Sequence, residues 1–153
     1  MRQYICKHYK AEELVDPETY SLYGKCSWQF FNPDALRMID GIWEYFDQFI
    51  TPGNTVIVIN DWSWGGRFRW SGLRTIFCNE GSDRSIHRIA TAFDLKFPRL
   101  RDIEPAMTYD DIRQEILKNK NHELLCRINC IEAGTNTWLH ADSRNCEERI
   151  LIV

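Results

Sequence analysis

The sequence predicts an α+β fold, with a small central, mainly antiparallel sheet flanked by helices. Three observations support this prediction: an amphipathic helix pattern that opens at Asn32, a β-branched run at residues 55–59, and two alternating segments around a turn at residues 133–136. A helix followed by a buried strand is typical of a layered α+β domain. The chain has 153 residues, the length of one ordinary domain, so we expect a single domain over residues 1–153.

The first predicted helix has clear start and stop signals. Asn32 is suited to cap the helix and Pro33 to its first turn, and Pro52 with Gly53 is expected to stop it. Its apolar residues recur at helical spacing: Leu36, Ile39, Trp43, Phe46 and Ile50. Residues 55–59 then form a continuous β-branched run, which predicts a strand covered on both faces.

The next region lacks a clear period, and a second helix follows it. Residues 60–84 predict a long ordered loop that interleaves tryptophan, arginine and glycine. Thr108 and Asp111 form a predicted capping box, with Met107 and Ile112 as a hydrophobic staple. We expect this helix to end near residues 120–121.

The C-terminal third predicts a β-hairpin and a last strand. Residues 124–132 and 137–142 flank the turn-like sequence A-G-T-N, and residues 149–153 are apolar. A period of two places alternate side chains on one face of each hairpin strand. These are Cys126, Ile128, Cys130 and Glu132 on the first strand, and Trp138, His140 and Asp142 on the second.

The composition argues against several classes of protein. Apolar residues make up 44% and charged residues 27%, and 19 basic against 22 acidic side chains give a formal charge of -3. This acidic balance disfavours a nucleic-acid partner. No apolar run approaches the roughly 18 residues of a membrane helix, and the start lacks the apolar core of a signal peptide. We therefore expect synthesis in the cytoplasm, no membrane partner, and six reduced cysteines that belong to the core.

Two short segments carry the residue types of a metal site. Residues 85–94 contain His87 and Asp94, seven positions apart, and residues 132–140 contain Glu132 and His140. Two imidazoles and one carboxylate are a ligand set that catalytic zinc uses when a fourth position stays open for water. The second carboxylate is then free to act as a base.

These segments resemble the signature of the zinc D-alanyl-D-alanine carboxypeptidase family, whose wider group includes lysostaphin-type and Hedgehog-type domains and phage endolysins. That signature is S-x-H-x-x-G-x-A-x-D, followed by E and then W-x-H. Residues 8–15 and the S-G-L-R sequence at residues 71–74 are also similar to family segments, while Ala90 stands where the family has glycine. The matching signature positions are Ser85, His87, Ala92, Asp94, Glu132, Trp138 and His140.

The resemblance implies roles for individual residues. It implies a zinc ion held by His87, Asp94 and His140, and a general base at Glu132. Arg74 is expected to bind a substrate carboxylate or to stabilise the developing oxyanion, and is thus both a catalytic and a substrate-binding candidate. Further expectations are a ligand or substrate contact for Ser85, a site wall at Trp138, a core position for Trp43 and a ligand-orienting contact from Asp142.

Alternatives remain at some of these positions. Arg67 and Arg69 compete with Arg74, and tryptophans 62, 64 and 70 fit either a substrate groove or the core. A rival zinc cluster of Cys126, Cys130 and His122 is disfavoured, because residues four apart on a strand are separated by about 13 Å.

The resemblance implies a Hedgehog-like or D-Ala-D-Ala-peptidase-like fold and a monomeric zinc peptidase that hydrolyses amide bonds in peptidoglycan stem peptides. The expected setting is a phage-type lysin, released to the cell wall or carried in a virion. The sequence does not decide whether the enzyme is a carboxypeptidase or an endopeptidase. It also does not decide whether the hydrolysed peptide bond is a D,D- or an L,D-bond. The competing class is a wall-binding or virion structural protein with the same fold and weak or no catalysis.

Overall fold

The computed structural model describes residues 3–48, 53, 55–80, 82, 84–102, 105–146 and 150–153. Its helices are α1 (Pro17–Tyr23), α2 (Pro33–Phe46) and α3 (Tyr109–Lys118), and its strands are β1 (Ala92–Leu95), β2 (Cys130–Ile131), β3 (Leu139–Asp142) and β4 (Leu151–Ile152). Short 3-10 helices span Ala11–Glu13, Gly24–Phe30, Trp62–Trp64, Ile86–Ile89 and Leu100–Asp102. The predicted α+β class is confirmed.

The four strands form one mixed sheet in the order β1-β3-β2-β4. Strand β3 pairs antiparallel with both neighbours, whereas β4 runs parallel to β2. In the β1–β3 pair, Asp94 lies opposite His140, and Ala92 lies opposite Asp142. Because side chains alternate along a strand, Asp94, His140 and Asp142 share one face of the sheet.

Helix α2 supplies much of the core that supports this sheet. The Asn32 side chain accepts a hydrogen bond from the Asp34 N–H (2.8 Å) and Pro33 occupies the first turn, as predicted. The helix ends at Phe46, earlier than predicted, while Ile50 and Pro52 lie outside the described residues. Its fully buried apolar side chains, each worth about 1.5–3 kcal/mol when removed from water, include Leu36, Met38, Ile39, Ile42 and Phe46.

Helix α3 starts and ends close to the predicted positions. The Thr108 hydroxyl accepts a hydrogen bond from the Asp111 N–H (3.2 Å), and the Asp111 carboxylate accepts one from the Thr108 N–H (2.8 Å). This reciprocal pair is the predicted capping box. The helix ends at Lys118, and its Ile112 and Ile116 are fully buried.

The strand predicted at residues 55–59 is wrong. Only Val58 pairs, through two 2.8 Å hydrogen bonds with Lys96, the residue that follows β1. The ladder stops there because the Ile59 carbonyl accepts a hydrogen bond from Lys96 Nζ (3.2 Å) and the Asn60 N–H donates to Glu13 (3.1 Å). Burial also alternates along the run, so the two faces are not equally covered.

The predicted hairpin is present, but its first strand is much shorter than predicted. Residues 124–128 form successive turns, with hydrogen bonds from Leu125 N–H to His122 O and from Ile128 N–H to Leu125 O, so Cys126 is exposed and lies on no strand face. The C-terminal strand is confirmed over β4. Across the described residues, no helix is both long and apolar enough to cross a membrane.

The prediction that all six cysteines belong to the core is wrong for half of them. Among the described residues, the six cysteines form no disulfide with one another. Cys6, Cys78 and Cys130 are buried, Cys146 is half-buried, and Cys26 and Cys126 are exposed. Cys26 lies in the 3-10 helix Gly24–Phe30 and Cys126 lies in a turn.

Candidate metal centre

Three side chains meet on one face of the sheet, beside the β1–β3 pair. Asp94 Oδ1 lies 2.9 Å from His140 Nδ1 and 3.2 Å from His87 Nε2, and the two histidine nitrogens are 3.3 Å apart. Asp94 and His140 face each other across the β1–β3 pair, and His87 comes from the 3-10 helix Ile86–Ile89 that precedes β1. Among the described residues, this is the only group of three potential ligand side chains close enough to share one ion.

The spacing of these three atoms fits a zinc ion. Zinc binds imidazole nitrogen and carboxylate oxygen at about 2.0–2.2 Å, so neighbouring ligands of a tetrahedral ion are about 3.3 Å apart. The three observed separations, 2.9, 3.2 and 3.3 Å, agree with one face of such a tetrahedron. Two neutral imidazoles and one carboxylate are also a donor set found in catalytic zinc sites.

The second nitrogen of each histidine is held by an acceptor behind the cluster. His87 Nδ1 lies 2.8 Å from the Gly72 carbonyl oxygen, and His140 Nε2 lies 3.3 Å from Asp142 Oδ2. Asp142 is fully buried and is itself fixed by Arg144, whose Nε donates to Asp142 Oδ1 at 2.8 Å. Contacts of this kind fix the tautomer and the ring orientation of metal-binding histidines, and the expected role of Asp142 is matched by its position.

The S-G-L-R segment at residues 71–74 holds the cluster from behind. The Ser71 carbonyl accepts a hydrogen bond from the Asp94 N–H (2.7 Å), and the Arg74 N–H donates to the His87 carbonyl (3.2 Å). The Leu73 N–H donates to the Leu14 carbonyl (2.9 Å), which brings that oxygen so close to Gly72 that an added Cβ would lie 2.1 Å from it. Only glycine therefore fits position 72 without a shift of the backbone.

Arg74 reaches the cluster through its side chain. Its Nη2 lies 3.1 Å from Asp94 Oδ2, and its Nε donates to the Trp70 carbonyl at 2.9 Å. Asp94 therefore offers one oxygen to the histidines and the other to Arg74. Arg67 and Arg69 are directed elsewhere, since Arg69 pairs with Glu18 at 2.7 Å and neither lines the cleft beside the cluster.

Electrostatic coupling within the cluster changes the protonation of its members. Burial lowers the pKa of His140, but hydrogen bonds to Asp142 and Asp94 outweigh burial and raise the pKa to about 9. Burial raises the pKa of Asp94, but hydrogen bonds from His140 and His87 hold it well below its usual range. Without a metal, His140 is thus an imidazolium that donates a proton toward a carboxylate on each side.

The base candidate Glu132 lies in the same cleft as the cluster. Its N–H donates to the His140 carbonyl (3.4 Å), one position beyond the paired residues of β2 and β3, so its side chain is on the face that carries His140. The cleft has a volume of about 390 Å³. Its described lining residues include Arg74, Arg84, Ser85, His87, Asp94, Glu132, Trp138, His140 and Arg144.

The structure brings together every site residue predicted from the sequence. His87, Asp94 and His140 form the cluster, and Arg74, Ser85, Glu132 and Trp138 line the cleft around it. Tryptophans 62, 64 and 70 are not among the described lining residues; Trp62 instead donates from its indole nitrogen to the Val15 carbonyl (2.8 Å). Trp43 packs against the core as expected.

Three contributors were not identified from the sequence. Gly72 was noted only as part of a turn, and neither Arg113 nor Arg144 was considered. Gly72 and Arg113 act through backbone carbonyls, which every residue type possesses, and Arg144 acts through the buried Asp142 carboxylate. The S-G-x-R pattern was the only available signal for Gly72.

Ala90 occupies the position where the family signature has glycine. It ends the 3-10 helix Ile86–Ile89 and has φ 57° and ψ 35°, the one left-handed conformation among described residues other than glycine. Glycine adopts this region without strain, whereas an L-residue with a side chain pays about 1–2 kcal/mol for it. The signature position thus requires a backbone shape that alanine tolerates with some strain.

One cavity is larger than the cleft that contains the cluster. A groove of about 700 Å³ lies on the other side of Arg74 and is lined mainly by apolar side chains, among them Leu22, Phe30, Ile76 and Ile89. It contains neither the three ligand candidates nor Glu132. Cavity size alone would therefore point away from the reactive groups.

Comparison with known proteins gives no relative. No protein-family model, no curated protein and no solved structure matches the chain.

Proposed function

We propose that the chain is a zinc-dependent peptidase of the D-alanyl-D-alanine carboxypeptidase and Hedgehog-like group, which hydrolyses amide bonds in peptidoglycan stem peptides. One observation carries this proposal: the His87, Asp94 and His140 donor atoms have the mutual spacing of zinc ligands, 2.9–3.3 Å, in a cleft that also contains the unligated carboxylate of Glu132. A metal site with an adjacent free carboxylate is suited to hydrolysis.

The proposed reaction divides the work between the metal ligands and the base. A zinc ion held by His87, Asp94 and His140 would lower the pKa of a water molecule to about 7 and polarise the substrate carbonyl. Glu132 accepts a proton from the attacking water as its oxygen bonds to the carbonyl carbon. It then delivers that proton to the leaving nitrogen as the C–N bond breaks, which gives a carboxylic acid and an amine. The acid then loses its remaining proton to the amine, so the final products are a carboxylate and an ammonium group.

The remaining cleft residues have supporting roles in this proposal. Arg74 keeps Asp94 oriented through the 3.1 Å contact, and its guanidinium is suited to a substrate carboxylate or a developing oxyanion beside the cluster. Ser85 and Trp138 form part of the wall that contacts the peptide. We propose that the protein works as a monomer on the cell wall, in the manner of a phage lysin, without a nucleic-acid or membrane partner.

Metal analysis is the first test. We expect about one zinc per chain after zinc loading and removal of excess metal, because three protein ligands and water complete the site. His87→Ala and His140→Ala should each lose most of this zinc, whereas His122→Ala, outside the cluster, should retain it. Full zinc retention in both cluster variants would show that the ligands are elsewhere.

Activity is the second test, measured as new amino termini or free D-alanine released from purified peptidoglycan with and without a chelator. Glu132→Gln keeps the shape of the side chain but cannot accept the proton, so we expect zinc to remain and turnover to fall at least about 10²-fold. Loss of zinc in this variant would instead make Glu132 a ligand. If wild type and variant are equally inactive on all peptidoglycans, the wall-binding or virion structural alternative replaces the enzyme.

A further inference from the structure

Helix α3 carries a buried arginine that lies outside the metal cleft. Arg113 is 4% exposed and is not among the residues that line the cleft. A guanidinium removed from water costs several kcal/mol unless its donors are satisfied. The contacts of Arg113 therefore need a structural explanation.

The partners of Arg113 are concentrated in the turn that joins β2 to β3. Its Nε donates to the Glu132 carbonyl (2.8 Å), and its Nη2 donates to the Trp138 carbonyl (3.2 Å) and to both the carbonyl and the hydroxyl of Thr135. Its Nη1 pairs with Asp110, one turn earlier on α3 (2.7 Å). One side chain thus contacts the beginning, the middle and the end of the turn.

The residues at the two ends of this turn are the ones that enter the cleft. Glu132 and Trp138 both line it, and the residues between them are largely exposed. Gly134 in the turn has a positive φ of 77° and no atom within 4 Å of an added Cβ, so packing does not fix the turn at that point. Glu132 is held instead by polar contacts: its N–H donates to the His140 carbonyl (3.4 Å), the next N–H along the chain donates to the Val153 carbonyl (2.8 Å), and its own carbonyl accepts from Arg113 (2.8 Å).

We infer that Arg113 is a positioning residue, which fixes the Glu132 carboxylate and the Trp138 ring relative to the His87–Asp94–His140 cluster. This inference rests on the proposed function, in which Glu132 is the base. A planar guanidinium presents donors in several directions at once, as contacts to the Glu132 and Trp138 carbonyls require. A lysine ammonium has the same charge but cannot reach both carbonyls in that geometry.

Arg113→Lys is the principal test, with Arg127→Lys as the matched control on the surface. Misplacement of a catalytic group by about 1 Å costs up to about 10²-fold in rate, so we expect kcat to fall at least tenfold while KM changes less than threefold. Zinc content should stay near that of wild type. Arg127 pairs with Asp34 on the surface, and its replacement should leave these values unchanged.

Thr135→Val tests the same contacts if Arg113→Lys fails to fold. The Thr135 hydroxyl accepts a hydrogen bond from Arg113 and donates one to the Trp138 carbonyl (2.8 Å). Its loss should therefore lower kcat, as Arg113→Lys does. The double variant should lose less than the sum of the single losses, because both changes act on one set of contacts. Wild-type kcat in both single variants, or full additivity in the double variant, would overturn the inference.

A readout that does not require catalysis separates this inference from the proposed function. In both variants, we expect the backbone amide protons of residues 132–138 to exchange with solvent faster than in wild type. We also expect the NMR signal of the Trp138 indole N–H to shift; this signal is assigned by its loss in Trp138→Phe. If wild type proves inactive but these changes occur, the positioning of the turn stands and the proposed function fails. Unchanged exchange and an unchanged indole signal in both variants would refute the inference whatever the activity.

Discussion

At the scale of single residues, the backbone conformation of Ala90 decides what the position tolerates. Three contributions oppose one another when glycine replaces it: relief of about 1–2 kcal/mol of left-handed strain, loss of about 0.8 kcal/mol from a buried methyl group, and about 0.4–1 kcal/mol of extra freedom in the unfolded chain. We expect Ala90→Gly to change the free energy of unfolding by less than about 1 kcal/mol, measured by urea denaturation.

Ala90→Val is the contrasting variant at the same position. It adds a β-branched side chain to a residue that is both left-handed and 3% exposed, so we expect a loss of more than about 2 kcal/mol. Equal stability of the two variants would mean that the left-handed conformation of residue 90 is not maintained in solution.

His140 links metal binding to proton release. Its pKa is raised to about 9 in the metal-free protein, and its Nδ1, the atom that faces Asp94, must lose its proton before it can bind a metal. We expect zinc affinity to rise about tenfold per pH unit between about pH 7 and 9 and then to level off. Calorimetry in two buffers with different heats of ionisation should show at least one proton released per zinc at pH 7. A pH-independent affinity over this range would mean that His140 is already neutral.

At the scale of elements, the S-G-L-R segment connects the metal cluster to the N-terminal part of the chain. An added Cβ at Gly72 would lie 2.1 Å from the Leu14 carbonyl oxygen, which is backbone and cannot rotate away. We expect Gly72→Ala to destabilise the protein by more than about 2 kcal/mol and to weaken zinc binding, because the Gly72 carbonyl orients His87.

Gly134→Ala provides the comparison for that prediction. Gly134 has a positive φ but open space around an added Cβ, so its replacement incurs only the conformational cost of about 1–2 kcal/mol. Thermal denaturation and zinc titration of both variants should separate steric displacement from backbone strain. A smaller effect at position 72 than at position 134 would contradict the close contact with Leu14.

The elements that the sequence predicted well are those specified by local signals. Asn32 with Pro33, and Thr108 with Asp111, identified two helix starts because capping is a contact between residues two or three positions apart. Residues 55–59 were misassigned because pairing depends on a partner, and the Ile59 and Asn60 backbone groups bond to Lys96 and Glu13 instead. Strand propensity alone contains no information about such competition.

The residues of the candidate site also differ in how well the sequence predicted them. The side chains proposed to react or bind metal could be chosen from the sequence because that chemistry restricts the residue type, as at His87 and Glu132, and the structure places them in one cleft. The groups that hold them were harder to predict, since Arg113 donates to carbonyl groups of distant residues and Gly72 contacts the His87 ring through its own carbonyl oxygen. The Arg74 side chain was expected to face the substrate, and its contact with Asp94 depends on the close approach of the 71–74 segment to β1, which a single sequence does not reveal.

At the scale of the whole molecule, the cluster makes the stability of the metal-free protein depend on pH. The pKa of His140 is higher in the folded state, about 9, than the usual value of about 6.5 in an unfolded chain. Its contribution is therefore complete below about pH 6.5 and is lost as the pH rises through 9. The pKa of Asp142 is lowered to about 2 in the folded state, so its contribution to stability changes with pH in the opposite direction. It is present above about pH 4 and is lost as the pH falls toward 2.

Urea unfolding in the presence of a chelator measures this dependence. Between pH 6.5 and 8, we expect the free energy of unfolding to fall by up to about 1.4 kcal/mol per pH unit from the His140 term. His140→Gln should reduce this slope. An identical slope in wild type and His140→Gln would contradict the raised pKa.

The pairing of β1 with β3 has a consequence for the order in which the protein matures. Asp94 and His140 are 46 positions apart, and α3, β2 and the turn that carries Glu132 lie between them in the chain. During synthesis, His87 and Asp94 emerge from the ribosome well before His140, and a chain that ends before β3 lacks one corner of the cluster. The proposed ion could thus contact all three side chains only after β3 has been made, so a chain terminated before residue 140 would lack the complete cluster.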